Sequence, residues 1–192
     1  MSNRFDNRSV STFKKDIKFG TMLEKYFFHK WLDKCELNIS DWSDNGCGND
    51  GEFIESGNTA GADYRVTIDG FNTPLEIKWV PTAGKFTLKQ NDLKAYVKEG
   101  ASILFIYNTG KAKLKKPKDH NLEKHIKLIE ENESDINWGI MWADKVVSLY
   151  RFATNNDLFE PIYYMGNKPG IILKSKDHNL EKHIKLIDEN GS

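Results

Sequence analysis

Two short segments, DYRVTID and PLEIKWV, constrain this chain more than any other part of it. Both are rich in β-branched, aromatic and alternating apolar residues, and only the turn-like GFNT separates them. That is the pattern of a β-hairpin. Side chains alternate faces along a strand, so Glu76 and Lys78 in PLEIKWV project to one side while Ile77 and Trp79 project to the other. An acid and an amine thus share a face. Asp63 opens the preceding strand and approaches Glu76 across the hairpin if the strands splay there.

Two converging carboxylates invite a hard divalent cation. Mg²⁺ takes oxygen ligands, keeps several waters and is typically held by one or two carboxylates plus substrate phosphate oxygens. Asp63, Glu76 and the carbonyl of Ile77 meet that need, with Mn²⁺ as the other cation of the same chemistry. Hydrolysis of a phosphodiester needs a nucleophilic water and relief of charge on the phosphoryl oxygens. Lys78 is the group to orient the water and offset that charge. The same three side chains also read as an exposed cross-strand salt-bridge set contributing under about 1 kcal/mol.

The rest of the chain supplies the surroundings. Leu23, Phe27 and Trp31 recur at i, i+4, i+8 over 16–35, with Met22 and Tyr26 beside them, which predicts an amphipathic helix capped by Asp16. Residues 40–63 are dominated by Gly, Asn, Asp and Ser and predict a long irregular loop, with one short strand near Phe53. TLKQNDLKAYVKEG places Leu88, Leu93, Tyr96 and Val97 on one side and ends at Gly100, so a helix followed by the buried strand ASILFIYN is expected. After the basic run KAKLKKPK, a further helix is expected in DHNLEKHIKLIEEN through Leu122, Ile126 and Ile129. WGIMWA and VVSLYRF read as strands around an Ala-Asp-Lys turn.

The hairpin region GADYRVTIDGFNTPLEIKWV, followed by a helix and a further apolar strand, resembles the PD-(D/E)xK nuclease superfamily, whose members include restriction-endonuclease-like and Holliday-junction-resolvase-like enzymes. The resemblance spans about 16–108. It implies an α/β fold with an α-β-β-β-α-β core and a central mixed sheet flanked by helices. It also implies Mg²⁺-dependent hydrolysis of DNA by an endonuclease of restriction-like or junction-resolving type, dimeric if both strands are cut, with RNA as the other polymer admitted. A glutamate on the N-terminal helix often lies near the metal in that family, and Glu24 in FGTMLEKYFF occupies the comparable place. Glu24 reads equally well as a solvent-facing helix residue. Gln90 matches the polar residue that many members carry on the helix after the Glu-x-Lys strand, and Lys85 and Lys89 are the neighbouring candidates for phosphate contact. Ala62 stands where the name-giving proline would. The alternative is a nucleic-acid-binding or partner-binding module that keeps such a fold without turnover.

Composition narrows the setting. With 192 residues, one domain over 1–175 followed by a helical segment at 176–192 is expected. The 28 basic and 28 acidic residues cancel, so any attraction to nucleic acid must come from local patches such as the basic run at 111–118. No apolar stretch is long enough to span a bilayer and the first residues carry no secretory pattern, so a cytoplasmic protein is expected, with Cys35 and Cys47 as thiols. KDHNLEKHIKLIEEN at 118–132 returns at 176–190 with Asp188 in place of Glu130 as the only change. Two separated copies cannot stack into a solenoid, so they read as a segmental duplication whose Leu-Ile face suits helix pairing. The histidines at i, i+5 in each copy, His120 and His125 then His178 and His183, are poorly spaced for a metal site on one helix face. Trp79 and Trp142 fit core strands better than base stacking.

Overall fold

The computed structural model describes residues 10–45, 61–81, 85–112, 114–115, 117–162 and 168–174. In chain order these form α1 (Val10–Lys34), β1 (Ile39–Asp44), β2 (Tyr64–Ile68), β3 (Phe71–Val80), β4 (Lys85–Lys89), α2 (Gln90–Glu99), β5 (Ser102–Asn108), α3 (Leu122–Glu130), β6 (Ile136–Met141), α4 (Ala143–Asn155), β7 (Glu160–Ile162) and β8 (Lys168–Lys174). The protein is a mixed α/β fold. Its main sheet has the order β1-β2-β3-β5-β6, and β4-β8-β7 form a smaller sheet. Only the β3–β5 pairing in the main sheet is parallel, with α2 in the crossover between them.

The hairpin forms as expected, but its turn is Asp69-Gly70. Ile68 pairs with Phe71, and Asp69 and Gly70 take φ of 50° and 83°. Two successive residues with positive φ make the type I′ turn that matches strand twist, and Asp-Gly is among the sequences that favour it. Phe71, Asn72 and Thr73 therefore belong to β3.

Alternation along β2, β3 and β5 sends two sets of apolar side chains to opposite faces of the main sheet. Tyr64, Val66, Ile68, Leu75, Ile77, Leu104 and Ile106 meet Phe19, Leu23, Phe27, Phe28 and Trp31 of α1 on one face. On the other, Ile103 and Phe105 pack with Leu93 and Tyr96 of α2, Val146 and Leu149 of α4, and Phe86 and Leu88 of β4. β3 is thus covered on both faces, and polar groups on it need partners.

Several expectations are corrected. α1 begins before Asp16, which is no cap: it lies inside the helix and its Oδ1 meets His120 Nε2 at 2.5 Å. Met22 is exposed. Residues Ile39–Asp44, expected within an irregular loop, are a strand at the sheet's margin whose side chains are mostly exposed, so burial imposed no apolar pattern on them. Phe53 and Cys47 lie outside the described residues. Leu88 belongs to β4, opposite Ile171, and the helix starts only at Gln90; its end at Gly100, φ 70°, is as expected. The segment VVSLYRF is not a strand but the middle of α4, where Val146, Leu149 and Ala153 recur at helical spacing on the buried side. Ala143-Asp144-Lys145 is that helix's first turn. The repeat copy at 176–190, with His178 and His183, lies outside the described residues. No helix among the described residues is long and apolar enough to cross a membrane.

Candidate active site

The last β2–β3 pair is Tyr64 with Leu75. One step further, the antiparallel register sets Asp63 opposite Glu76, and here the ladder gives way to a side chain: Asp63 Oδ2 accepts the backbone N–H of Ile77 at 2.8 Å. A residue's N–H and C=O point to the same side of its strand, as the double exchange within a hydrogen-bonded pair requires. The Ile77 carbonyl therefore faces the same gap as Asp63.

Glu76 and Lys78 share the face of β3 turned toward α2. Glu76 is buried, and its Oε1 accepts from two donors, the Lys78 ammonium and the Tyr96 phenol, the latter at 2.7 Å. Lys78 Nζ also lies 5.6 Å from the centroid of the Tyr96 ring, within cation–π range. Both donors use the same oxygen. The Asp63 carboxyl is near enough to Glu76 for that charge to raise its pKa.

Electrostatics tie Glu24 to this group. Burial pushes its carboxyl up to about 8, the Asp63 and Glu76 charges add to the rise, and Lys78 opposes it. Asp63 is pushed up to about 7, first by burial and then by the Glu76 charge, against the pull of Lys78 and of the Ile77 N–H. Burial alone would lower Lys78, but Glu76, Tyr96 and Asp63 outweigh it and hold the ammonium well above the ordinary lysine range. Tyr96 is raised by burial and by the Glu76 charge. Tyr64 is raised by burial and then by Asp44, Asp63 and Glu24. The acidic neighbourhood therefore extends to the end of β1.

Three carboxylates in one field with a single ammonium among them form a site in want of positive charge. Among the described residues no three His, Cys, Asp or Glu side chains converge closely enough to hold a metal between them. A magnesium ion does not require that, since two carboxylates with a backbone carbonyl and waters satisfy it. Asp63, Glu76 and the Ile77 carbonyl are the groups here that could supply such ligands, with Glu24 in the same field.

The remaining candidates lie in β4 and at the start of α2. Gln90 is half-buried at the start of α2. The residue of α2 that meets Glu76 is Tyr96, about 9 Å farther along the helix axis at 1.5 Å per residue. Lys89 precedes the helix and its Nζ lies 3.5 Å from Asp92 Oδ2. Lys85 opens β4, and its side chain lies outside those described. His120 is engaged with Asp16, while His125 is buried with its Nε2 unpartnered among the described residues and its pKa lowered by burial.

The helical spacing of Tyr96 accounts for its ring in the core. The one signal for a second role was its hydroxyl, because a buried tyrosine O–H usually finds a partner. No protein-family model, curated protein or solved structure matches this chain.

Proposed function

We propose that this protein is a Mg²⁺-dependent nuclease that hydrolyses DNA phosphodiester bonds, an endonuclease of the restriction-like or junction-resolving kind, with Asp63, Glu76 and Lys78 at its centre. The observation that carries this reading is the opening of β2 from β3, where the Asp63 carboxylate sits on the Ile77 N–H opposite Glu76 with Lys78 beside it. With β4 set aside, since it pairs in the smaller sheet, the element order α1-β1-β2-β3-α2-β5 supports it, being the order that the PD-(D/E)xK resemblance implies.

Asp63, Glu76 and the Ile77 carbonyl would hold the ion, with Glu24 next to them. When bound, it supplies Lewis acidity toward a phosphoryl oxygen and a more acidic water. Tyr96 anchors Glu76 through Oε1, which keeps the carboxylate from rotating away from Asp63. Lys78, kept charged by its surroundings, directs a water toward the phosphorus and offsets charge on the phosphoryl oxygens, which favours the transition state over the ground state.

The test is incubation of purified protein with linear, circular, single-stranded and branched DNA, with Mg²⁺ or with chelator. Cleavage of at least one form is expected with Mg²⁺ only, and Lys78→Ala should lower kcat by about a hundredfold or more. Absence of metal-dependent cleavage of every form, with Lys78→Ala indistinguishable from wild type, would end the proposal. One observation favours a second reading: the Lys78 ammonium already rests on Glu76, so acid and base neutralise each other. A binding module without turnover would retain DNA intact in a complex that weakens with salt.

A further inference from the structure

Beyond Tyr64–Leu75 the β2–β3 ladder no longer fixes the backbone of Asp63, and the structure fastens it from elsewhere. Glu99, in the last turn of α2, reaches both sides of Asp63. Its Oε2 accepts the backbone N–H of Ala62 at 2.9 Å, and its Oε1 accepts from Arg65 Nη2 at 3.0 Å. Asn45, the residue after β1, holds the same stretch: its backbone N–H donates to the Asp63 carbonyl at 2.9 Å and its Nδ2 to the Ala62 carbonyl at 3.4 Å. The Glu99 side chain is only 19% exposed, and Ala62 is fully buried. Hydrogen bonds to a carboxylate shielded in this way are the strong kind.

We propose that Glu99 is a positioning residue for Asp63. It holds the backbone N–H just before that aspartate and the Arg65 guanidinium two residues after it, so that Oδ2 stays on the Ile77 N–H and the carboxylate stays opposite Glu76. Ala62 belongs to the same device, since a proline there would have no N–H to donate. The effect on turnover rests on the nuclease reading above, whereas the effect on the backbone does not.

The test uses the full chain as wild type, Glu99→Ala, Glu99→Gln, Ala62→Pro and the Glu99→Ala/Ala62→Pro double variant. Three quantities are measured: Mn²⁺ affinity by isothermal titration, kcat and KM on whichever DNA is cut, and amide exchange at Ala62 and Asp63 by NMR. Glu99→Ala should weaken Mn²⁺ binding and lower kcat by roughly 10- to 100-fold, the usual effect of losing a group that orients a metal ligand. KM should stay within about twofold, and Ala62 exchange should quicken at least about tenfold. Glu99→Gln, whose amide oxygen still accepts from Ala62 but whose NH2 cannot accept from Arg65, should recover part of each loss. Ala62→Pro, which breaks the bond from its other end, should lower Mn²⁺ affinity in the wild type and much less in the Glu99→Ala background. Mn²⁺ affinity and Ala62 exchange both within about twofold of wild type in Glu99→Ala would overturn the clamp. So would additive effects in the double variant. If the wild type cuts no DNA, the nuclease reading fails alone, because exchange and Mn²⁺ binding still decide the clamp.

Discussion

The Tyr96 ring packs with Leu93 and Phe105 as its helical spacing predicts, yet its hydroxyl ends on Glu76. Tyr96→Phe keeps the ring and removes one of two donors from a buried carboxylate oxygen. The expected loss is about 1.5–3 kcal/mol of stability, the range for a hydrogen bond to a charged group, measured by urea unfolding. An unchanged midpoint would mean that the phenol is not bonded in solution. Asp63 and Glu24 make a prediction with a definite sign. Each carboxyl has a folded pKa, about 7 and about 8, raised above its ordinary value, so the folded state retains protons that the unfolded chain has released. Their contribution is present in acid and is lost as pH rises toward about 8. In chelator, Tm should fall between pH 5 and 8, Glu24→Gln should flatten that fall, and saturating Mg²⁺ should offset it by binding the folded state alone. A Tm in chelator that is level across this range, or equally steep in Glu24→Gln, would contradict the assignment.

At the scale of elements, the hairpin carries the site because its register decides what Asp63 faces. Gly70 holds φ at 83°. An alanine there finds open space around its Cβ but pays the left-handed backbone cost of about 1–2 kcal/mol, to be read by denaturant unfolding of Gly70→Ala. Mg²⁺-dependent activity per folded molecule should be unchanged, because β2 and β3 still pair. The hairpin, α2, β5 and α3 were legible in the sequence since each buries a face and so carries a strong period. β1 was not, because a marginal strand with exposed side chains has no apolar alternation to display. α4 hides behind the β-branched and aromatic composition of VVSLYRF, while the helix's buried residues Val146, Leu149 and Ala153 are spaced for a helix. Of the candidate site, the approach of Asp63 to Glu76 and Lys78 was legible, since a tight turn and strand alternation dictate it. Glu99 and Asn45 were not, for their bonds to the Asp63 segment depend on how α2 and β1 dock.

For the molecule as a whole, the main sheet separates two apolar layers, and the site lies where β3 runs between them. Phe27 is fully buried on the α1 side, 4.4 Å from Trp79 and 5.9 Å from Trp138 between ring centroids. Phe27→Ala should cost about 3–5 kcal/mol, whereas Phe71→Ala, at a residue 75% exposed, should stay within about 0.5 kcal/mol in the same chemical denaturation. Comparable losses would show that α1 does not pack as described. Among the described residues, the main sheet stops on one side at β1, and a sheet that stops leaves backbone groups on which a stray chain can polymerise. Here that border carries Asp41 and Asp44 and has an irregular register between Ile39 and Asp41. Charge and a kink both oppose templated growth, so the strand that lacks a hydrophobic signature is also the one that guards the fold against amyloid-like extension.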